Sequence, residues 1–135
     1  MKLLGDRKKK GNQDPSNVST PALTSRLQEL TGSDDGFYRA MSRLMFLDPK
    51  KITTSLEDAV KQAQDYESAG NKTRAELWYR IAGGISLYRG DIEAVRKFFQ
   101  KASIVSGNAR PEYDSVAKQP ERAVETAKKY YEGII

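Results

Sequence analysis

Two residue types are missing from the 135-residue chain: it has no cysteine and no histidine. Without cysteine, a disulfide framework and thiolate metal sites are excluded. Without histidine, the commonest general base, the commonest zinc ligand and the side chain that changes charge near neutral pH are lost together. Catalysis would have to run on Asp, Glu, Lys, Arg, Ser or Tyr alone, and the chain reads as a non-enzyme. Long apolar runs are missing too, since none approaches the ~18–20 residues of a membrane span. Met1-Lys2-Leu3-Leu4 turns polar at once, unlike a secretory leader, so the expected compartment is cytoplasmic. No Asp/Glu spacing matches a calcium loop, and Gly83-Gly84 lacks the Lys-Ser/Thr that completes a phosphate loop. No cofactor and no metal are therefore expected. Period-two alternation is absent over any useful length, which predicts no strand.

What is present is a basic tail and a series of helical stripes. Residues 1–18 combine Gly5, Gly11, Asn12, Gln13, Pro15, Ser16 and Asn17 with Arg7-Lys8-Lys9-Lys10. Such a segment buries too little apolar area to offset its ordering entropy, so it is predicted to be a disordered basic tail. Residues 1–20 carry +3 of the chain's net +5, leaving the predicted helical domain, residues 19–135, nearly balanced. Lys8, Lys9 and Lys10 are candidates for weak contact with nucleic-acid phosphates; the alternative is a solvated tail.

The domain reads as about six helices. The first starts at Pro21, capped by Ser19 or Thr20, with Leu23, Leu27 and Leu30 on one face and Gly32 at its end. The second, capped by Ser33 or Asp34, carries Phe37, Met41, Leu44 and Met45 and stops at Asp48-Pro49. Thr54-x-x-Glu57 is a capping box for the third, whose stripe is Leu56, Ala59, Val60, Ala63 and Tyr66, ending at Gly70. Thr73-x-x-Glu76 opens the fourth, which is apolar almost all round and should be the most buried. Gly83-Gly84 inside it predicts close approach by a neighbouring helix, with a kink as the alternative. Gly90-Asp91 ends that helix and caps the fifth, with Ile92, Val95, Phe98, Phe99 and Ala102. Residues 107–119 read as loop with a short helical turn at 112–118, and the last helix starts at Pro120 and buries Ala123, Val124, Ala127, Tyr130 and Tyr131. Trp78 and Tyr79 are expected in the core, with a base-stacking platform as the alternative. Tyr130 and Tyr131 are expected to dock the last helix rather than form a surface patch.

Ala63, Tyr66, Gly70, Ala75, Tyr79 and Ala82 follow the pattern small-x2-aromatic-x3-Gly-x4-Ala-x3-aromatic-x2-Ala. In this the chain resembles the tetratricopeptide-repeat class of helical hairpins. Small residues let two helices approach, an aromatic fills the gap beside each, and Gly makes the turn. Gly90-Asp91 with Phe98-Phe99-Gln100-Lys101-Ala102 echoes the family again, displaced by one extra residue. The resemblance covers one good repeat, residues 54–89, with degenerate flanks. It implies an all-α fold of antiparallel helical hairpins, either a right-handed array or a compact helical bundle.

The resemblance also implies a function: a non-catalytic adaptor or accessory subunit that binds another protein or a peptide segment. In that family the first helix of each hairpin lines a groove, and the matching positions here are Glu57, Val60, Gln64 and Glu67. The next inward helix would offer Arg96, Lys97 and Lys101. An acidic edge facing a basic edge favours a partner segment carrying both signs. The alternative function is a nucleic-acid-associated accessory protein using the basic tail and the basic helical edges.

Overall fold

The computed structural model describes residues 21–133, with side chains from residue 26 onward. The predicted tail, Lys8, Lys9 and Lys10 with it, and the proposed caps Ser19 and Thr20 lie outside the described residues. Among the described residues the chain is all-α, without strands. The described residues form seven α-helices: α1 (Pro21–Thr31), α2 (Asp35–Leu44), α3 (Leu56–Ser68), α4 (Lys72–Arg89), α5 (Ile92–Val105), α6 (Pro111–Ala117) and α7 (Pro120–Glu132). A 3-10 turn, Pro49–Lys51, lies between α2 and α3.

The helix starts are set by short polar side chains that satisfy the free N–H groups of a first turn. Asp34 accepts from the Phe37 N–H at 3.0 Å and Asp91 from the Ala94 N–H at 3.1 Å, both as expected. Two caps differ from expectation. Ser55, not Thr54, accepts from the Asp58 N–H and opens α3. Asn71, not Thr73, accepts from the Arg74 N–H and opens α4. Asn outranks Thr as a cap, and Gly70 at φ +78° delivers the chain directly into it. The end of α2 differs as well. It stops at Leu44, and Asp48 and Pro49 instead open the 3-10 turn, with Asp48 accepting from the Lys50 N–H.

α4 is the central helix, packed most extensively against α3 and α5 and also against α7 and α2. Ala59 and Ala63 of α3, Ala75 and Ala82 of α4 and Ala102 of α5 are fully buried, which lets the three helices approach closely. Tyr79 and Phe99 fill the space beside them. Trp78 is only half-buried, unlike its neighbour, because adjacent residues point about 100° apart around a helix and the inward position belongs to Tyr79. α4 runs through Gly83-Gly84 without a break. A Cβ on Gly83 would lie 2.6 Å from the Phe99 ring, and one on Gly84 2.7 Å from the Phe46 ring, so both glycines mark close approach.

The first and last described helices meet. α1 packs on α7 and α2 packs on α6. Arg26 donates to the Lys129 carbonyl at 2.8 Å, Arg122 pairs with Asp34 at 2.9 Å, and the Arg122 guanidinium stacks 3.9 Å above the Phe37 ring. Tyr130 and Tyr131 are buried and donate their hydroxyls to the carbonyls of Leu47 and Phe46, so they dock α7 against the connection after α2. The architecture is a compact helical bundle whose first hairpin lies against its last.

Candidate functional site

The residues expected to form a partner groove lie on α3 and α5. Glu57 and Gln64 are exposed and Val60 is half-buried on the same face of α3. Glu67 and Lys101 are brought together at 3.6 Å, so part of the acidic edge neutralises part of the basic one. Glu67 also accepts the Tyr79 hydroxyl, and Lys101 sits 5.7 Å above the Tyr79 ring. This knot joins α3, α4 and α5. Burial first and the Glu67 carboxylate second push the Tyr79 phenol well above its ordinary range. Arg96 pairs with Glu93 at 2.7 Å within α5, and Lys97 lies over the Phe98 ring. Glu57 and Lys97 are in no ion pair with another described residue. The face is therefore mixed in sign, as expected, but its two edges already interact.

Concave regions lie elsewhere as well. One is a groove of about 860 Å³ between the C-terminal end of α4 and the outer side of α7. Leu87, Val124 and Tyr131 form its apolar floor, and Tyr88 stands over it, 41 % exposed. Tyr88 meets the Tyr131 ring edge-on at 4.8 Å, which holds its ring upright in the groove wall. Arg89, Glu125, Lys128 and Glu132 line the rest. Gly90, at φ +76°, turns the chain sharply beneath it, and a Cβ there would meet Val124 at ordinary contact distance.

Another is a cleft of about 110 Å³ where α2, α4 and the start of α6 meet. Its walls include Arg43, Arg80, Arg110, Glu112 and Tyr113. Glu112 pairs with Arg43, and Glu76 accepts from Arg110 Nε at 2.5 Å and from the Tyr113 hydroxyl at 2.7 Å. Arg80 donates to the Arg43 carbonyl at 3.2 Å. The Glu112 carboxyl is held below its ordinary value, first by its own backbone N–H and then by Arg43.

No cluster of three or more potential metal ligands occurs among the described residues, and no described helix is long and apolar enough to cross a membrane. Neither concave region was anticipated from sequence. Tyr88 and Val124, or Arg43 and Arg110, are far apart in the chain and share no local period. No family model, curated protein or solved structure matches this chain.

Proposed function

We propose that the chain is a non-catalytic interaction module that receives a segment of another protein along the α4–α7 groove. One observation carries this reading: the groove has an apolar floor, an exposed tyrosine fixed in its wall, and a rim of both charges. Such an arrangement of apolar centre and polar rim is the usual anatomy of a protein interface, and Tyr is enriched among the residues that dominate binding energy there. The groove is open along its length. A small molecule normally has most of its surface enclosed, so an open trough suits a chain segment laid across it better. Arg89 and Lys128 against Glu125 and Glu132 favour a segment that carries both signs around an apolar anchor, as inferred for the α3–α5 face from sequence.

The test is affinity capture from the native cell followed by measured binding of the captured partner to variants. Tyr88→Ala and Val124→Asp should each weaken binding by at least tenfold while leaving the helical circular-dichroism spectrum intact. Reversing Glu57 and Lys97 on the α3–α5 face should leave it unchanged. The opposite pattern, with groove variants silent and the charge reversals effective, would move the site to α3 and α5.

A further inference from the structure

We infer that the cleft lined by Arg43, Arg80 and Arg110 is an anion site built for a phosphoryl dianion. The argument begins with where the opposite charges sit. The two carboxylates paired with these arginines are sunk, with 16 % of the side-chain surface exposed at both Glu76 and Glu112. Their guanidinium partners are not: Arg43 and Arg110 are 60 % and 62 % exposed. The negative charge lies underneath and the positive charge faces out. Arg80, also exposed, adds a third guanidinium, which donates to the Arg43 backbone carbonyl. The cleft therefore presents three cations over two half-buried carboxylates, a net positive mouth held in place from below.

The carboxylates do more than neutralise. Each fixes one side of a guanidinium, and the planar fork leaves other N–H donors directed away from that contact. Glu76 is itself held by the hydroxyl of the buried Tyr113, so Arg110 is oriented by a carboxylate that is anchored from beneath. Three oriented forks around one pit match an oxyanion with several equivalent oxygens. A planar carboxylate faces only one fork squarely. The volume agrees: about 110 Å³ is too small for a cofactor, whose sites run to roughly 300–1,000 Å³, and suits one small oxyanion. The cleft is also a single pit rather than a stripe, which does not suit the repeated phosphates of a nucleic-acid backbone.

The absence of histidine gives a clean test. No side chain of this protein titrates at its ordinary value between pH 5 and 8, whereas a phosphate monoester takes up its second proton near pH 6. A change of affinity between pH 5 and 7 therefore follows the ligand's own titration and not that of a side chain at its ordinary value. The probes are inorganic phosphate, a phosphoserine peptide, and the same peptide with glutamate in place of phosphoserine. Binding to the full chain is followed by NMR at constant ionic strength. Saturable shifts of the Arg43, Arg80 and Arg110 side-chain N–H signals are expected with the phosphorylated probes. Affinity for the phosphoserine peptide should fall roughly tenfold from pH 7.5 to pH 5, following the dianion fraction of a monoester. Arg80→Gln should weaken binding at least tenfold and Arg80→Lys should restore part of it. Lys72→Gln, exposed at the start of α4 and outside the lining of both the cleft and the groove, should change nothing. A phosphopeptide much tighter than inorganic phosphate would identify a phosphorylated protein as the source; equal affinities would identify a free phosphate or small ester. Equal binding of the glutamate peptide, an affinity flat in pH, or a silent Arg80→Gln would each overturn the inference and leave the cluster as a clamp joining α2, α4 and α6.

Discussion

Replacing a glycine by alanine in the middle of a helix normally stabilises it by about 1 kcal/mol, because glycine loses more backbone freedom on folding. At Gly83 the structure reverses that sign. The new Cβ would sit 2.6 Å from Cε1 and Cζ of Phe99 and 2.8 Å from Cε2, against a comfortable carbon–carbon separation of roughly 3.5–4.0 Å. The ring would have to retreat by about 1 Å. It has nowhere to go: Phe99 is fully buried and stacks on Tyr113 with centroids 6.2 Å apart and planes 19° from parallel. Tyr113 is in turn hydrogen-bonded to Glu76 of α4 itself. Relief must come from moving α5 and α6 away from α4. Overpacking of this kind costs about 1–3 kcal/mol, so after the propensity gain Gly83→Ala should destabilise by up to about 2 kcal/mol. Gly36 is the internal control. It lies in α2, is exposed, and a Cβ there meets only Asp34 Oδ1, at 3.7 Å. Gly36→Ala should be neutral or stabilising by up to about 1 kcal/mol. Urea unfolding followed by circular dichroism reads both as midpoint shifts at constant slope. Phe99→Leu should weaken the wild type yet lessen the penalty of Gly83→Ala, giving a coupling of about 0.5–3 kcal/mol in a double-mutant cycle. A Gly83→Ala protein as stable as, or more stable than, the parent would refute the close packing of α4 on α5.

Two further outcomes follow from burial. Tyr79→Ala should cost about 3–5 kcal/mol and Trp78→Ala distinctly less, because only the first ring is fully enclosed; equal losses in thermal unfolding would contradict that placement. The pH profile should be flat from about 5 to 8, where no side chain titrates at its ordinary value, and should fall on both sides. On the alkaline side, burial above all raises the phenols of Tyr79, Tyr113, Tyr130 and Tyr131, that of Tyr130 to about 12. The unfolded tyrosines ionise near 10 while the folded ones stay protonated, so this stability is complete below 10 and is lost as the pH climbs toward the folded values. On the acid side, Asp34 is lowered first by the Phe37 N–H and then by Arg122, and Glu112 by its own N–H and by Arg43. Their stabilisation is present above the ordinary values of 3.8 and 4.5 and is lost as the pH falls through the lowered folded ones. Unfolding midpoints that rise above pH 10, or that climb as the pH drops below 4, would contradict these assignments.

The helical stripes were legible because they are local. Ala59, Ala63, Ala75, Tyr79, Ala82, Val95, Phe99 and Ala102 recur at helical spacing, and all are buried. The short turn read at 112–118 is α6, begun one residue earlier at Pro111. Caps were less legible where two competent residues adjoin, as Thr54 and Ser55 do, since either hydroxyl can take a first-turn N–H. Position within a stripe also failed to separate Trp78 from Tyr79: in a helix apolar on nearly every side, the inward direction is set by neighbours and not by pattern. Both candidate sites were illegible for a related reason. The charged residues read from α3 and α5 share faces of single helices, whereas Arg43, Arg80 and Arg110 come from three elements and meet only once the chain has closed on itself.

That closure explains where the concave regions lie. In a stacked array each hairpin rests on the next one along the chain. Here eleven residues, Met45–Ser55, separate α2 from α3, more than a tight hairpin needs, and they are pinned by Tyr130 and Tyr131 of α7 through the carbonyls of Leu47 and Phe46. Held there, α2 meets α6 and α1 meets α7, and the apolar faces of the first and last hairpins cover each other. The cleft opens where α2 and α6 reach α4, and the groove opens where α7 reaches the far end of α4. α4 contributes to both, Arg80 to one and Tyr88 to the other, about 12 Å apart along the helix at 1.5 Å per residue. Since the two regions form only when the terminal hairpins dock around a shared central helix, a ligand that binds the closed form at either one stabilises the geometry of the other. Occupancy of the arginine cleft should then tighten, not weaken, partner binding at the groove, and by reciprocity the partner should tighten the anion by the same factor. Titrating the phosphoserine peptide with and without the captured partner measures that factor. A factor of one would mean that the bundle is fully closed without either ligand, and a factor below one would mean that the two regions require different arrangements of α4 and its neighbours.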